Sequence, residues 1–389
     1  MERAEDGRAG GAHPGPLVEP AAALGADAAA RARRQLALPG FGELAQRRLA
    51  AARVLVIGAG GLGCASVPYL VGAGVGRIGI IDDDLVELSN LHRQVAHGTA
   101  DLGRAKVDSL AETALAIDPG ITIDRHRLRL SSANARELFA QYDLVIDGSD
   151  NFPTRYLAND AAELTGTPLV WGAILQYSGQ VGVAWHAHGP GYRDLFPVPP
   201  APGAVMNCAE GGVLPGLCGT VGSLLATEAL KLITGLGDPL IGRVLLYDAL
   251  AARTRELRVN RNPSAEPITG LVDYELLCGI AQAEAGPSVP ALEPEELLAL
   301  SRAGAAPRLV DVRSEAEHAE RRLRGSEWLP VEQIEAGAAL EGPVTLYCER
   351  DPRSIRAAAA LASRGVPGVA FLRGGIDAVA RSAPELIER

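Results

Sequence analysis

The sequence predicts an α/β protein in which a larger domain is followed by a smaller one. Three observations support this fold class. Short apolar runs alternate with longer amphipathic runs over residues 31–263, which is typical of strand–helix units with a parallel sheet. One apolar run leads directly into a glycine-rich turn and a helix. After a segment rich in proline and glycine, the alternation begins again and continues towards the C-terminus.

Composition shifts predict the boundaries of these parts. Residues 1–28 are rich in Ala, Gly and Pro without helical periodicity, so we expect a disordered leader there. The larger domain is expected over residues 29–262, a linker over 263–290 with a short ordered piece near 271–280, and the smaller domain over 291–389.

The apolar pattern also predicts the elements in chain order. In the larger domain, strands are predicted at 53–58, 78–82 and 144–147, helices at 62–71, 105–117 and 217–233, and an antiparallel hairpin at 243–247 and 255–259. In the smaller domain, helices are predicted at 294–301 and 354–362, and strands at 309–312, 344–347 and 369–372.

Overall composition argues against several classes of protein. The chain has 389 residues, of which 47% are hydrophobic and 22% charged, so wholesale disorder is excluded. A formal net charge of -10 argues against a nucleic-acid-binding surface. We see no apolar run close to the roughly 18 residues of a membrane span and no signal-peptide pattern. The five cysteines show no paired metal spacing and no disulfide framework. We therefore expect a cytoplasmic protein that binds neither nucleic acid nor membranes.

The glycine-rich turn predicts a Rossmann-like nucleotide site. The strand at 53–57 leads into four glycines, at Gly58, Gly60, Gly61 and Gly63, and then into a helix. Such a turn lets a phosphate approach the main chain and directs a helix N-terminus at it. Asp82, 19 residues after Gly63, is placed to accept ribose hydroxyls. The turn alone does not separate NAD from ATP, and a tight turn without a ligand is the alternative.

The polar residues that follow favour a nucleotidyl transferase over an NAD-dependent oxidoreductase. Asn90, Arg93 and Lys106 can neutralise charge on an α-phosphate and on departing pyrophosphate, unless the two basic residues are plain surface charges. Asp150 follows the strand at 144–147, where parallel sheets bind ligands. It is either a Mg²⁺ ligand or the N-cap of the helix that starts near Pro153.

These motifs, in this order and spacing, resemble the MoeB/ThiF family of ubiquitin-activating-enzyme-like adenylyltransferases over residues 30–262. The resemblance implies that the substrate is a small ubiquitin-like sulfur carrier protein ending in Gly-Gly. The carrier's carboxylate would attack the α-phosphate of ATP and release pyrophosphate. The resemblance implies further that the enzyme is a homodimer.

The resemblance also assigns roles to individual residues. Gly60 and Gly61 would approach ATP, and Asp82 would hold the ribose. Arg34, from a run that begins at Arg31, would reach into the partner subunit's ATP site. The residues that would contact the phosphates are Ser89, Asn90, Arg93 and Lys106. Asp150 would hold Mg²⁺, and Asn151 would also contact the nucleotide.

The zinc site of many family members is not expected here. Those members carry two Cys-x-x-Cys pairs that bind a structural zinc ion. The four matching positions of this chain hold Gly191, Asp194, Ala265 and Ile268. A closed structural zinc site requires four soft ligands, so we expect no structural zinc.

Two cysteines are candidate reactive thiols. Cys208 lies in a glycine-flanked segment that, by the resemblance, supplies an acceptor or resolving thiol in some members. Cys348 ends a predicted strand and is followed by a Cys-x4-Arg loop and a helix, an arrangement that can stabilise a thiolate or persulfide. Cys64, just after the glycine turn, is expected to be structural.

Residues 292–389 resemble a rhodanese domain, with Asp311 and Arg313 matching its Asp-x-Arg signature. Three departures weaken the expectation of activity. Pro352 removes a loop donor, and Arg322 stands where the family usually has histidine. Glu349 and Asp351 oppose a thiolate electrostatically, although Arg350 and Arg353 are expected to offset this effect.

The combined expectation is an ATP- and Mg²⁺-dependent enzyme that adenylates a sulfur carrier, in molybdopterin synthesis or a related pathway. A persulfide on Cys348, loaded by a donor such as a cysteine desulfurase, would then give the carrier thiocarboxylate, with Cys208 resolving the mixed disulfide. The alternatives are an adenylyltransferase with a degenerate docking domain and an ATP-binding scaffold without sulfur transfer.

Overall fold

The structure, a computed structural model, describes residues 14–200, 211–278, 289–349 and 351–388. It divides into two compact units, Met1–Cys278 and Gly279–Arg389. Cys208 and the end of the ordered piece predicted near 271–280 lie outside the described residues.

The described strands of the first unit form one mixed sheet. They are β1 (Arg53–Ile57), β2 (Arg77–Ile81), β3 (Thr122–His126), β4 (Leu144–Asp147), β5 (Leu169–Leu175), β6 (Ser178–Ala184), β7 (Arg243–Asp248) and β8 (Arg253–Arg258). Their order is β3-β2-β1-β4-β5-β6-β7-β8. The first five in this order run parallel and the last three are antiparallel. The predicted strands at the centre of the sheet and the predicted hairpin are confirmed.

Helices cover both faces of this sheet. They are α1 (Ala26–Arg31), α2 (Arg33–Leu36), α3 (Gly42–Ala51), α4 (Gly61–Ala73), α5 (Lys106–Ile117), α6 (Ala135–Phe139), α7 (Phe152–Thr165), α8 (Tyr192–Leu195), α9 (Pro215–Thr234) and α10 (Tyr274–Leu277). Because side chains alternate along a strand, Val54 and Val56 pack with α4, α5 and α9. Leu55 and Ile57 pack with α6 and α7. A strand buried on both faces is continuously apolar, which explains why the sequence predicted β1 so well.

The sequence expectation that no apolar segment is long enough to span a membrane was wrong for α9. Among the described residues, α9 meets that criterion by length and by its mean hydropathy of 1.3. However, 56% of its most apolar stretch is buried inside the protein, and Val221 and Leu225 lie in the core beside α4. Its apolar character therefore has an explanation in the packing of the first unit.

The predicted leader extends too far. Leu17 and Val18 pack against the core, and the Leu17 amide donates to the carbonyl of Leu232 at 3.0 Å. Burial of these two apolar residues and a hydrogen bond from the Ala21 amide to the Arg47 carbonyl at 3.0 Å anchor an otherwise Ala-, Gly- and Pro-rich segment. Composition alone did not reveal these contacts. At the other end, Tyr274 and Cys278 are buried against the first unit, so part of the predicted linker belongs to its core.

The second unit has a smaller parallel sheet. Its strands are β9 (Ala291–Leu292), β10 (Leu309–Asp311), β11 (Arg322–Leu323), β12 (Glu327–Trp328), β13 (Val344–Tyr347), β14 (Val369–Leu372) and β15 (Ile387–Glu388). The order in the main sheet is β12-β10-β13-β14-β9, and β11 pairs with β15 separately. The helices are α11 (Pro294–Arg302), α12 (Glu315–Glu320), α13 (Val331–Glu335), α14 (Pro352–Ser363) and α15 (Gly375–Ser382). Helices α13 and α14 cover one face, and α11 and α15 cover the other.

Candidate active site

Three of the four glycines in the turn between β1 and α4, Gly58, Gly61 and Gly63, leave little space for a side chain. Gly58 has a φ of +90°, a left-handed conformation that favours glycine. A Cβ on Gly63 would lie 2.0 Å from the Gly58 carbonyl oxygen, and a Cβ on Gly61 would lie 2.7 Å from the Cys218 Sγ of α9. Gly60 is the N-cap of α4. The turn therefore leaves its backbone open to a phosphate at the start of a helix.

Asp82 lies immediately after β2 and contacts this turn. Its carboxylate accepts hydrogen bonds from the amides of Ala59 and Asp84, both at 2.8 Å. Burial raises the pKa of Asp82, while the nearby Lys106 charge opposes that rise. The sequence prediction thus placed Asp82 correctly beside the glycine turn, and its contact with a ribose stays a prediction.

Lys106 is not a surface charge. Its side chain is only 8% exposed, and its Nζ lies 2.7 Å from the Asp84 carboxylate, which is 67% exposed. Since burying an ammonium group is costly unless it is compensated, this lysine is held at the site by the fold. Arg93 lies against the glycine turn, with its Cγ 3.8 Å from the position of a Cβ on Gly61. Its guanidinium donates to the Ser89 carbonyl at 3.1 Å.

Ser89 and Asn90 form the turn that carries Arg93. The Asn90 side chain is buried and accepts from the Glu87 amide at 3.2 Å. The Ser89 hydroxyl donates to the Glu87 carboxylate at 3.3 Å. In this structure the two side chains shape the turn, and their phosphate contacts stay predictions.

The alternative interpretation of Asp150 as a helix cap is wrong, because its neighbour has that role. Asn151 is the N-cap of α7, and its side-chain oxygen accepts from the Thr154 amide at 3.0 Å. Asp150 is exposed, and within the described residues its carboxylate has no hydrogen bond or ion pair. A free carboxylate at this edge of the sheet fits a Mg²⁺ ligand. The Asn151 oxygen is already used, which leaves its amide NH₂ for a nucleotide.

Two further polar groups near the turn were not singled out from the sequence. The Gln94 side-chain oxygen and the Arg155 Nε are buried without a hydrogen-bond partner in the described part of the chain. The Gln94 Nε2 lies 3.7 Å from the position of a Cβ on Gly60. Buried polar atoms that lack a partner within the protein are suited to a polar ligand. Gln94 directly follows the candidate phosphate-binding residue Arg93, and this position in the sequence could have identified it as a site residue.

Cys64 is structural, in agreement with the sequence. It is buried under the glycine turn, and its Sγ lies 3.4 Å from the His97 Nε2. Burial raises the pKa of Cys64 to about 12, so this thiol is not a nucleophile at neutral pH. His97 also contacts the Ala59 carbonyl at 3.0 Å, so the side chains of Cys64 and His97 pack against the glycine turn and support it.

Arg34 is not part of the cluster around the glycine turn. It lies on the short helix α2, its side chain is exposed, and among the described residues it has no hydrogen bond or ion pair. The next residue, Gln35, anchors this helix by donating to Gln46 at 2.9 Å and to the Ala73 carbonyl at 3.1 Å. The helix is thus fixed while the Arg34 side chain is available to another molecule.

Hydrogen bonds link the segments that carry the two Cys-x-x-Cys pairs in zinc-binding members. The Asp194 carboxylate accepts from the amides of Gly191 and Asn262, both at 2.7 Å. Next to it, Arg193 forms two hydrogen bonds of 2.7 Å with the buried carboxylate of Asp160. The Tyr274 hydroxyl donates to the same carboxylate at 2.7 Å. These contacts connect α8 and α7 to the residues that follow β8.

In the second unit, Cys348 follows β13 at the start of the predicted loop. It is buried, and its Sγ lies 3.5 Å from the Ser354 hydroxyl. The signature residues Asp311 and Arg313 form a buried pair, with hydrogen bonds of 2.9 and 2.7 Å. Pro352 is the first residue of α14, a position that needs no amide donor within the helix.

The expectation for the charges of this loop needs correction. Glu349 is paired with Arg313, at 3.0 Å, and with Arg321, so its charge is largely compensated. Arg353 forms a two-pronged ion pair with Glu317, at 2.6 and 2.8 Å, and its guanidinium also interacts electrostatically with Cys348. Sequence reasoning missed both pairs because the partners are distant along the chain. Arg322 pairs with Glu388 at 2.8 Å, and Arg350 lies outside the described residues.

Comparison with known proteins agrees with this arrangement. Residues 32–267 match the ThiF family and residues 293–382 match the rhodanese-like domain. The chain is 46% identical to the probable adenylyltransferase/sulfurtransferase MoeZ of Mycobacterium tuberculosis, over 96% of this chain and 98% of that protein. It is 52% identical to the sulfur carrier protein adenylyltransferase of Thermus thermophilus, over 64% of this chain and 96% of that protein.

One mammalian relative and one solved structure extend the comparison. The chain is 42% identical to the adenylyltransferase and sulfurtransferase MOCS3 of Mus musculus, over 83% of this chain and 73% of that protein. The crystal structure of E. coli MccB with a MccA peptide has the same fold, with a TM-score of 0.56 and 18% identity over 61% of this chain and 74% of that one. From the matched domains and these relatives, the chain belongs to the ThiF family of adenylyltransferases and carries a C-terminal rhodanese-like domain.

Proposed function

We propose that the first unit uses ATP and Mg²⁺ to adenylate the C-terminal Gly-Gly carboxylate of a small ubiquitin-like sulfur carrier protein. The observation that carries this is the position of Lys106, a buried ammonium group that interacts with Asp82, whose carboxylate contacts the glycine turn. Arg93 lies against Gly61 of the same turn. Two cations and a helix N-terminus are suited to the charge that develops during phosphoryl transfer.

The chemistry of the first step follows from this arrangement. A carboxylate oxygen of the carrier attacks the α-phosphorus of ATP, the bond to the β-phosphate oxygen breaks, and pyrophosphate leaves. Arg93 and Lys106 would stabilise the negative charge on the transferring and leaving groups. Asp150 would hold Mg²⁺, which supplies further positive charge at the phosphates.

For the second step, the proposed nucleophile is a persulfide on Cys348. Its outer sulfur attacks the carrier's acyl carbon and displaces AMP, which leaves an acyl disulfide. The thiolate of Cys208 then attacks the Cys348 sulfur, releases the carrier thiocarboxylate and forms a Cys208–Cys348 disulfide. A thiol reductant resets the pair, and a cysteine-desulfurase persulfide reloads Cys348.

Pyrophosphate exchange into ATP, with a purified Gly-Gly-ending carrier from the same genome, tests the first step. Cys348→Ala and Cys208→Ala should exchange at the wild-type rate, because adenylation requires no thiol. Cys348→Ala should make little thiocarboxylate, and Cys208→Ala should trap the carrier on Cys348, as seen by intact-mass spectrometry. Exchange that does not depend on the carrier would overturn the proposal.

The burial of Cys348 favours a second candidate, in which the rhodanese-like unit only docks a partner. This candidate predicts that Cys348→Ala makes thiocarboxylate at the wild-type rate when sulfur is supplied as a donor-enzyme persulfide. The sulfur-transfer assignment would then be wrong, while the adenylation assignment would stand.

The proposed homodimer has its own test, because Arg34 would act in the partner subunit's site. Arg34→Ala and Lys106→Ala should each exchange poorly. Mixing the two proteins under conditions that allow subunit exchange should restore part of the activity, since one site of each hybrid has both side chains. No recovery in confirmed hybrids would show that Arg34 does not act across the subunits.

A further inference from the structure

The residue that follows Cys348 carries a carboxylate close to the place where a thiolate has to form. One oxygen of Glu349 accepts from the Arg313 Nη1 at 3.0 Å, and the other accepts from the Arg321 Nη2. The same Arg321 nitrogen donates to the Asp377 carboxylate at 2.7 Å. The Glu349 carboxylate is thus held between two guanidinium groups.

The backbone of this loop is fixed independently of those ion pairs. The amides of Ile376 and Asp377, at the start of α15, donate to the carbonyls of Cys348 and Glu349 at 2.9 and 3.1 Å. A Cβ on Gly375 would lie 2.4 Å from the Cys348 carbonyl oxygen, so the approach is close. With the peptide fixed, the Glu349 side chain can approach Cys348 only by leaving its two arginines.

Arg313 alone does not compensate Glu349. Both oxygens of the buried Asp311 carboxylate accept from the Arg313 guanidinium, so that charge is already balanced. Arg321 adds the second cation of the cluster, whose anions are Asp311, Glu349 and Asp377. Removing Arg321 would leave the Glu349 carboxylate to share the Arg313 guanidinium with the buried Asp311 carboxylate, at the side of the loop that carries Cys348.

We propose that Arg321 is a positioning residue for the Cys348 chemistry: it holds the Glu349 carboxylate away from the sulfur and cancels its charge, so that the thiolate forms and attacks. This inference rests on the proposed sulfur transfer. It explains how a glutamate directly after the nucleophile is compatible with an anionic sulfur, which electrostatics otherwise disfavours.

Other charged groups around the loop stay the same when Arg321 is changed. Among the described residues, they are the Glu317–Arg353 ion pair between α12 and α14, His318 on α12, which lies 2.9 Å from the Asp311 carboxylate, and Asp351 on the loop itself. The Asp351 carboxylate accepts from the Gly374 amide at 2.7 Å. None of these contacts depends on the Arg321 side chain, so a substitution there changes mainly the state of Glu349 and Asp377.

The test is the pH dependence of iodoacetamide alkylation of Cys348 in the full chain, followed on its peptide by mass spectrometry. In Arg321→Ala, the midpoint of the profile should move up by about one pH unit, and the rate at pH 7 should fall about fivefold to tenfold. The plateau at high pH should stay unchanged. Adding Glu349→Gln should return the midpoint to the wild-type value or below.

Two variants serve as controls. Arg322→Ala removes the neighbouring arginine, which pairs with Glu388 in the two-stranded β11–β15 sheet, and should leave the profile unchanged. Glu349→Gln alone should move the midpoint down, which keeps the proposal testable if Arg321→Ala does not fold. An unchanged midpoint in Arg321→Ala, or a shift that Glu349→Gln does not reverse, would overturn the proposal. A higher plateau at an unchanged midpoint would also overturn it, because Arg321 would then only restrict access.

Alkylation needs no ATP, carrier or sulfur donor, so this result is separate from the test of the proposed function. A shifted midpoint in a protein that makes no thiocarboxylate would support the positioning role and overturn the sulfur transfer. Thiocarboxylate production with an unchanged midpoint would support the sulfur transfer and overturn the positioning role.

Discussion

Burial fixes the Lys106 ammonium group within the candidate site. Its side chain is nearly enclosed, whereas its ion-pair partner Asp84 is mostly in solvent. A pair of this kind does little for stability, because the exposed carboxylate is well hydrated. The ammonium group therefore serves chemistry more than folding.

We expect Lys106→Ala to lower carrier-dependent pyrophosphate exchange on the order of 10²-fold or more, since a cation that meets developing phosphate charge is lost. Arg104→Ala is the matched control. Arg104 lies two residues away and pairs with Asp101 and Glu112 at the surface, so exchange should be unaffected. Wild-type exchange by a folded Lys106→Ala protein would contradict the assignment.

Sequence reasoning worked at this scale where a residue belongs to a local motif and failed where partners are distant. Lys106 could be singled out from its spacing, although the choice between site and surface needed its burial. The compensation of Glu349 could not be predicted, because Arg321 lies 28 residues away in the chain. Only the fold brings these two together.

Among the secondary-structure elements, α7 is preceded by two adjacent polar residues, Asp150 and Asn151, that have different roles. Asn151 caps the helix, whereas the exposed Asp150 carboxylate has no hydrogen bond or ion pair with any residue that the structure describes. The sequence left this choice open, since both residue types are good N-caps.

We expect Asn151→Ala to lower the free energy of unfolding by about 1 kcal/mol, because one amide at the start of α7 loses its acceptor. Asp150→Ala should change stability by less than about 0.5 kcal/mol and raise the Mg²⁺ concentration needed for exchange. Urea unfolding and a Mg²⁺ titration measure the two effects. A larger loss of stability in Asp150→Ala than in Asn151→Ala would reverse the assignment.

Helix α12 begins with a capping box that is tied to another helix. Glu317 accepts from the amide and hydroxyl of Ser314, at 3.0 and 2.7 Å, and pairs with Arg353 on α14. Partial burial opposes ionisation, but the hydrogen bonds from Arg353 and Ser314 outweigh it and lower the pKa of Glu317 to about 2. The unfolded chain has the ordinary pKa, near 4.5.

A depressed pKa stabilises the folded state above the unfolded value and loses this effect as the pH falls. At pH 7, Glu317→Gln should therefore destabilise the second unit by about 1–2 kcal/mol, a value reduced for partial exposure. The difference from wild type should shrink as the pH falls from about 4.5 towards 2. Urea unfolding of the full chain, followed by hydrogen exchange of the peptide that contains α12, measures it. Glu320→Gln on the same helix is the control, and a pH-independent difference would contradict the ion-pair explanation.

For the whole molecule, the sequence predicted the strands that are continuous apolar runs and the exposed hairpin, and it missed the largely buried strands β5 and β6. Strands β1, β2 and β4 are continuous apolar runs, and their predicted ends agree with the structure to within one residue. Strand β3 was missed because, at the edge of the sheet, its charged residues hide the pattern. The two-residue strands of the second unit could not be predicted, because they are defined by pairing with strands that are distant in the sequence.

The prediction of no structural zinc also concerns the whole chain. We expect elemental analysis to find less than about 0.1 zinc per chain, because the ligand positions lack soft donors. Prolonged chelation should leave the thermal unfolding midpoint unchanged, since Asp194 and the Asp160–Arg193 pair connect these segments without a metal. One zinc per chain retained through mild chelation would show that the matched positions are wrong.

Because Cys218 contacts Gly61, the residues that are tolerated at these two positions depend on each other. The sulfur fills the space in which a side chain at position 61 would stand, so a bulkier residue at 218 would push the glycine turn from behind. We therefore expect only small residues to be tolerated at position 218 when position 61 is glycine. A loss of nucleotide affinity caused by a substitution at 218 would then be a packing defect transmitted to the turn, and would be mistaken for the loss of a reactive thiol.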